Sequence, residues 1–152
     1  MIKYVGLFFN EREANLIKSL EVNDLGYYND LLHCTFKYRP DDIEFFDEII
    51  GKIFEVYLIG YGNDGKNSGF EISLPDELLK YYINYDEDNS SVLKDPHIIV
   101  SLAKNAKAAD TKNLKFIPLK KTIKVTSTFG YWLKNEEQEF VSFEPFNKQI
   151  ND

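Results

Sequence analysis

The sequence has few of the residues that form disulfide bonds in small proteins or that bind metals. Its one cysteine, Cys34, excludes an internal disulfide, which is typical of a reducing compartment. It has two histidines, His33 and His97, whereas a zinc site needs three or four clustered ligands. No segment fits the phosphate-binding pattern G-x-x-x-x-G-K-[ST]. We therefore expect no bound metal and no cofactor.

Long apolar runs and positive charge are also scarce. No run approaches the roughly 18 apolar residues of a transmembrane helix, and the first residues lack the pattern of a signal peptide. We therefore expect a soluble, cytoplasmic protein with no membrane partner. The net charge of −7 argues against duplex DNA, because that binding needs Lys and Arg to neutralise phosphates. A small nucleotide, or an RNA end held by a local basic patch, remains open as a partner.

The composition is that of one globular domain covering residues 1–152, which we expect to be a monomer. Aromatic residues make up 15% of the chain, and their number favours strands. The hydrophobic periodicity predicts an α+β chain with the order β-α-β-α-β-β-α-β-β-β. The predicted elements are a strand at 3–9, a capped helix at 10–20, a strand at 32–38, a helix at 41–51, a hairpin at 53–73, a short helix at 75–83, a strand at 97–103 and two or three strands after 116.

Each histidine stands near the start of a predicted strand that follows a polar loop. Alternate residues of a strand share a face. The stretch "LHCTFKY" therefore presents His33, Thr35 and Lys37 on one face, and "HIIVSLA" presents His97, Ile99 and Ser101. A single histidine in a strand is usually a packing or surface residue. Two of them in matched contexts, in opposite halves of the chain, indicate a joint role.

A pair of imidazoles suits the cleavage of a phosphodiester. Histidine takes up and releases protons near neutral pH, so one ring can accept a proton from the attacking oxygen while the other protonates the leaving oxygen. A hydroxyl on the same face, such as that of Thr35, can donate a hydrogen bond to the phosphoryl oxygens. The residues do not indicate which histidine is the acid and which is the base.

The stretches "HCTF" and "PHIIVSL" resemble the paired His-x-Thr/Ser strands of the 2H phosphoesterases, which include LigT-like enzymes and RNA cyclic phosphodiesterases. "IGYGNDGKNSGFEI" is similar to a subgroup described as Swiss Army Knife RNA repair-like. The resemblance implies a bilobal α+β fold, with two antiparallel sheets in a pseudo-twofold relation around a central cleft and helices outside. It also implies a metal-independent phosphodiesterase for a 2′,3′-cyclic phosphate RNA end or a small cyclic oligonucleotide. In a phage protein, this chemistry would suit degradation of a host nucleotide signal.

One position departs from that family pattern. Ile99 stands where a Thr or Ser is expected, and Ser101 lies two residues further along the predicted face. The resemblance thus implies catalytic roles for His33, Thr35 and His97, with Ser101 as the substitute hydroxyl. The departure leaves open a slow enzyme, a shifted substrate pose, or a non-catalytic nucleotide-binding module on the same fold. A protein-interaction domain with two incidental core histidines is the third alternative.

Five further residues are candidates for substrate binding. Lys37 could meet a phosphate, and Tyr131 or Trp132 could stack on a base. Tyr61 lies near the predicted hairpin turn, and Tyr4 lies on a strand face that could form the cleft floor. The competing interpretations are a solvated strand end for Lys37, core packing for the aromatic residues of the strands, and a plain turn for the segment beside Tyr61.

Overall fold

The computed structural model describes residues 2–29, 31–107, 114–134 and 140–141. Within these ranges the chain is an α+β protein dominated by antiparallel strands, as the sequence predicts. The strands are β1 Ile2–Phe8, β2 Tyr27–Tyr28, β3 His33–Tyr38, β4 Ile53–Asn63, β5 Asn67–Ser73, β6 His97–Leu102, β7 Ile117–Lys134 and β8 Phe140–Val141. The helices are α1 Glu11–Ser19, α2 Asp76–Leu79 and a 3₁₀ turn at Glu44–Phe46. No helix in the described ranges is long and apolar enough to cross a membrane.

All eight strands belong to one hydrogen-bonded sheet, whereas the expected arrangement has two sheets. The strand order is β2-β6-β5-β4-β7-β1-β3, and β8 pairs with β7. The long strand β7 makes the sheet continuous. It pairs with β4 from Ile117 to Thr128 and with β1 from Thr128 to Leu133. One strand thus joins the part of the sheet that carries β3 to the part that carries β6.

The sheet is curved, so that the two histidine strands meet. β3 and β6 lie far apart in the strand order but contact each other in space. Two loop segments bond to their outer edges: the amide of Ile83 donates to the carbonyl of Phe36 at 3.2 Å, and the amide of Asn29 donates to that of Val100 at 2.9 Å. These bonds satisfy carbonyls that an open sheet edge would expose.

The core is built from the apolar faces of these strands and is rich in aromatic side chains. The Phe36 and Phe129 rings pack edge to face with centroids 5.1 Å apart, and Phe46 stacks on Phe129 at 5.5 Å. Burying each such side chain contributes about 1.5–3 kcal/mol. Cys34 is a free thiol that is fully buried in the same cluster. The core therefore fixes the apolar backs of β3 and β6 and leaves their other faces to the cleft.

The first helix begins as the sequence predicts, but its capping box is incomplete. The Asn10 side chain accepts a hydrogen bond from the Glu13 amide at 3.0 Å, which is a standard N-cap. The Glu13 carboxylate does not bond back to Asn10 in the way the box requires. It accepts instead from the Thr126 amide of β7 at 2.7 Å. This contact ties α1 to the sheet.

The predicted helices at 41–51 and 75–83 are wrong in length. The first is a 3₁₀ turn followed by further turns, and it ends where the Gly51 amide donates to the Phe129 carbonyl at 2.9 Å. The second ends after Leu79, because Tyr81 and Tyr82 are buried in the core and the Ile83 amide bonds to the edge of β3. Tertiary contacts override the helical periodicity in both segments.

The region after 116, predicted as two or three strands, is mainly the single strand β7. The sequence "LKNEEQEF" at 133–140 predicts a hairpin turn, and the tail at 147–152 is expected to be frayed; the turn lies mostly, and the tail wholly, outside the described residues.

Candidate functional site

A cleft of about 410 Å³ lies where β3 and β6 approach each other. His33, Thr35, His97 and Ile99 all line it. Both histidines are half-buried. The structure therefore brings together the two histidines that the sequence analysis selected, together with the hydroxyl of Thr35.

Both imidazoles are held in the same way. Nδ1 of His33 lies 2.8 Å from the carbonyl oxygen of Leu31, and Nδ1 of His97 lies 2.7 Å from that of Asp95. A carbonyl oxygen only accepts, so this partner assigns the proton to Nδ1 in each neutral ring. Each Nε2 is then a proton acceptor. In both strands the carbonyl belongs to the residue two positions before the histidine.

The strand pairs that carry the histidines have the same register. In the β1–β3 pair, Phe8 lies opposite His33 and Gly6 lies opposite Thr35, and a bulge follows. In the β5–β6 pair the same steps place Glu71 opposite His97 and Gly69 opposite Ile99, again before a bulge. Ile99 therefore occupies the position that Thr35 has in the other pair.

Two asparagines extend this correspondence across the outer strand edges. The Asn84 carboxamide donates to the carbonyl of Thr35 at 3.3 Å, and the Asn29 carboxamide donates to that of Ile99 at 3.2 Å. Both asparagines line the cleft. Neither asparagine is apparent from the sequence, because each lies in a loop and its partner is on a strand distant in the chain. No local pattern marks such residues.

The bulges overturn two of the predicted faces. A bulge places one extra residue in a strand and reverses the side on which later residues point. After the bulge in β3, Tyr38 and Arg39 line the cleft and Lys37 does not. After the bulge in β6, Ser101 is fully buried outside the cleft lining. The predicted common faces of His33 with Lys37 and of His97 with Ser101 are therefore wrong.

Ser101 is part of a separate buried cluster. Its hydroxyl donates to Glu21 Oε1 at 2.6 Å and accepts from the Leu25 amide at 3.0 Å. The Ser68 hydroxyl lies 2.6 Å from that of Ser101 and also donates to Glu21. These bonds fasten the segment after α1 to β5 and β6. Ser101 thus has a structural environment and no access to a ligand between the histidines.

Aromatic rings enclose His33. The Tyr4 ring stacks on the imidazole with centroids 4.3 Å apart and planes inclined by 18°, and Phe8 lies 5.8 Å away. The Tyr4 hydroxyl is 3.4 Å from Nδ1 of His33. Tyr4 therefore contacts the histidine directly, but it is not among the described residues that line the cleft. His97 has a looser aromatic contact, with Phe116 at 5.9 Å.

The other predicted aromatic contacts lie away from the described lining. Tyr61 packs on Phe70 at 5.0 Å and against the core. Tyr131 also packs against the core, and Trp132 lies opposite Tyr4 in the β1–β7 pairing. None of the three is among the described residues that line the cleft. Core packing accounts for Tyr61 and Tyr131.

The surroundings favour the neutral form of both histidines. Burial lowers the pKa of His33 to about 4, and the nearby His97 contributes to this shift against the opposing bond from Leu31. Burial also lowers the pKa of His97; Lys94 lowers it further, while the bond to the Asp95 carbonyl and the Asp95 carboxylate oppose the shift. The two imidazoles are close enough for a charge on one to disfavour a charge on the other.

The cleft carries positive charge although the chain as a whole is acidic. Lys3, Arg39 and Lys94 line it, against the single carboxylate of Glu87 among the described lining residues. These cations are not apparent from the sequence, since none belongs to the histidine motifs. Arg39 has a φ of 45°, in the left-handed region that non-glycine residues rarely adopt. The arrangement can bind an anion between two neutral imidazoles.

In the described part of the chain, no group of three or more His, Cys, Asp or Glu side chains is placed to hold a metal ion. The fold and the cleft define an antiparallel α+β protein with a cleft lined by two histidines and, among its described residues, by more cations than carboxylates. No protein-family model matches the chain, and no curated protein is significantly similar to it in sequence.

Proposed function

We propose that the protein is a metal-independent phosphodiesterase of the 2H type. The observation that carries this proposal is the pair of imidazoles, His33 and His97, each oriented by a carbonyl two residues earlier and both lining one cleft. Two rings that share such a space can act as base and acid on opposite sides of a phosphorus atom. A cleft with excess positive charge supports a phosphate ligand.

The reaction needs one proton shared between the two rings. For a 2′,3′-cyclic phosphate, the neutral imidazole takes a proton from water, the water oxygen bonds to phosphorus, and the bond from phosphorus to one ribose oxygen breaks. The protonated imidazole gives its proton to that oxygen. Burial lowers both pKa values, but an anionic phosphate favours a charged imidazole beside it. Substrate binding therefore favours protonation of the imidazole that acts as the general acid.

The phosphate is held unequally by the two strands. Thr35 offers a hydroxyl beside His33, whereas Ile99 offers none at the matching position beside His97. Lys94 lines the cleft and is close enough to His97 to lower its pKa. We infer that the Lys94 ammonium partly replaces the missing hydroxyl in stabilising charge on the phosphoryl oxygens.

The pseudo-twofold relation expected of 2H proteins is part of the same proposal. It is supported by the equal registers of the β1–β3 and β5–β6 pairs and by the two asparagine bonds. Two further backbone hydrogen bonds correspond in the same way. The Arg39 amide donates to the carbonyl oxygen of Lys3 at 2.8 Å, and the Ala103 amide donates to the carbonyl oxygen of Lys66 at 2.9 Å. In this interpretation the two pairs are the inner parts of two lobes, joined here through β4 and β7.

The substrate is a small nucleotide, either a 2′,3′-cyclic phosphate at an RNA end or a cyclic oligonucleotide. A cleft of about 410 Å³ has the size of a small-molecule site. The net charge of −7 disfavours a long nucleic acid outside the cleft.

A substrate screen tests the reaction. We expect the wild type to open 2′,3′-cyclic nucleotides or cyclic oligonucleotides, and His33→Ala and His97→Ala each to lose about 10²–10⁴-fold in turnover. Lys66→Ala, a change in the exposed hairpin turn, is the matched control and should keep wild-type activity. Full activity in both histidine variants would show that the site is wrongly assigned.

A non-catalytic nucleotide-binding module is the second candidate, and Ile99 is the observation that favours it. Losing one donor to a developing oxyanion costs about 10²–10³-fold in rate, which could leave binding without turnover. Calorimetric binding measured beside the screen separates the two functions. Binding that depends on Thr35 and yields no product would support the module.

A further inference from the structure

We propose that Lys3 and Arg39 form a second anion subsite, so that the ligand carries another phosphate besides the one between the histidines. This inference rests on the proposed function and deepens it by naming the substrate class. That class is a nucleotide with at least two phosphates, such as a 5′-phosphorylated cyclic nucleotide, an RNA end or a cyclic oligonucleotide.

The two cationic residues lie at neighbouring ends of paired strands. Tyr4 and Tyr38 are paired in β1 and β3, and one residue further the Arg39 amide donates to the Lys3 carbonyl at 2.8 Å. Lys3 and Arg39 are therefore side by side in the backbone, and both line the cleft. Two adjacent cations suit a phosphate, since Arg can bind two of its oxygens and Lys adds a compact charge.

The subsite is separate from the phosphate position at Thr35. Arg39 follows the last residue of β3 and is four residues beyond Thr35, a separation of roughly 13 Å in a fully extended chain and less with the bulge between them. In this proposal the Thr35 hydroxyl holds the phosphate between the histidines, and the Arg39 guanidinium binds a second phosphate further along the cleft. With Lys94 beside His97, the described lining residues include three cations and one carboxylate, that of Glu87. One scissile phosphodiester carries a single negative charge, so the cleft is suited to a more highly charged ligand.

The backbone at Arg39 is an unusual place for a long charged residue. Its φ of 45° is left-handed, a conformation in which glycine is at ease and a residue with a Cβ is disfavoured. The turn itself therefore gives no reason for an arginine. Such outliers concentrate at binding sites, and here the strained residue directs a guanidinium to the cleft.

The subsite lies at one end of the cleft only. The residue at the matching position after β6 is Ala103, whose amide donates to Lys66 as that of Arg39 does to Lys3. Neither Ala103 nor Lys66 is among the described lining residues. The cleft thus has a polarity, and the second phosphate is expected on the His33 side.

Binding and turnover of two matched nucleotides test the inference. The probes are adenosine 2′,3′-cyclic phosphate and the same compound with a 5′-phosphate, compared by calorimetry and by kcat/KM. We expect the wild type to prefer the two-phosphate probe by about tenfold, the effect of one charged hydrogen-bonded contact. Arg39→Gly and Lys3→Gln should each remove most of this preference. Both should bind the one-phosphate probe within about threefold of the wild type.

Two controls separate charge from folding. Lys37→Gln removes a cation from the same strand outside the cleft lining and should keep the preference. Arg39→Gly relaxes the left-handed residue and should unfold no earlier than the wild type, so that its loss of preference is not misfolding.

The outcomes distinguish this inference from the proposed reaction. Product formed from both probes at equal efficiency would overturn the subsite and leave the phosphodiesterase standing. If the protein binds the two-phosphate probe more tightly, this preference requires Arg39, and neither probe yields product, the subsite is supported and the phosphodiesterase reaction is contradicted. Equal weakening of both probes by Arg39→Gly would also overturn the subsite.

Discussion

Gly6 and Gly69 occupy the same position relative to the two histidines. Each lies opposite the second residue after a histidine, on the strand that pairs with it. A Cβ at Gly6 would be 2.1 Å from the carbonyl oxygen of Cys34, and a Cβ at Gly69 would be 2.2 Å from that of Ile98. Close approach of two backbones therefore requires glycine at both places. In both strand pairs the bulge lies directly beside this close approach.

Replacing either glycine should displace its histidine strand. We expect Gly6→Ala and Gly69→Ala each to lower the free energy of unfolding by about 1–3 kcal/mol or more, because the added methyl meets backbone that cannot move aside. Denaturant unfolding measures the change. Gly65→Asn is the control: its φ is 83° with open space around a Cβ, and Asn tolerates that conformation. Equal stability of Gly6→Ala and Gly65→Asn would contradict the close approach.

The sequence was sufficient to predict the histidine strands but not all of their faces. Alternation along "LHCTFKY" depends on local pattern, and it places His33 and Thr35 correctly. Beyond the bulge the pattern fails, since the extra residue arises from the register with β1, which one strand's sequence does not contain. Lys37 and Ser101 were misplaced for this reason. The asparagines and Arg39 were missed because their partners lie on other segments.

The helix predictions failed through competition with the sheet. Residues 41–51 have acidic residues early and apolar residues at helical spacing. In the structure Gly51 and Lys52 exchange backbone bonds with Phe129 of β7, which stops the turns there. The continuity of the sheet through β7 could not be predicted either, because it depends on pairings with β1 and β4 on opposite sides of one strand.

The lowered pKa of His33 makes stability depend on pH in a defined window. The pKa is about 4 in the folded chain, against a reference of 6.5, so unfolding takes up a proton between these values. The free energy of unfolding should therefore fall as the pH drops from about 6.5 to about 4, and this contribution is constant above 6.5.

The measurement is the difference in stability between the wild type and His33→Gln across this range. The Asp and Glu carboxylates titrate in both proteins, so their contributions to the difference in stability largely cancel. We expect the wild type to lose on the order of 2 kcal/mol relative to the variant, after allowance for the partial exposure of the ring. A difference independent of pH would show that His33 is not desolvated.

A hydroxyl at position 99 should improve catalysis. Ile99→Thr places a donor at the position that matches Thr35, so turnover of a cyclic phosphate should rise by about tenfold or more. Ile99 is buried, so the change should also cost about 1–2 kcal/mol of stability. Ile98→Val, on the core side of the same strand, controls for the lost packing and should not raise turnover. Unchanged turnover in a folded Ile99→Thr protein would contradict the equivalence of the two strands.

The effect of the Lys94 charge should be measurable as a change in the pKa of His97. Its charge lowers the pKa of that ring, so Lys94→Gln should raise the pKa of His97, which NMR of the imidazole protons records. The same variant should turn over cyclic phosphate several-fold more slowly, because the cation beside the phosphate is lost. Lys66→Gln, in the exposed turn between β4 and β5, should change neither quantity. A raised pKa with unaltered turnover would exclude a catalytic contribution of Lys94.

Ser101 and Thr35 should respond in opposite ways to loss of their hydroxyls. Ser101→Ala deprives Glu21 of a donor inside a buried cluster, so the free energy of unfolding should fall by about 1–3 kcal/mol. The cleft is untouched, so turnover and nucleotide affinity should remain within about twofold, since a residue away from the ligand contributes little to either. Thr35→Ala should lower turnover about 10²-fold through the lost phosphate donor. A large loss of turnover in a stably folded Ser101→Ala protein would mean that β6 presents Ser101 to the ligand, and that the bulge does not separate it from His97 as described.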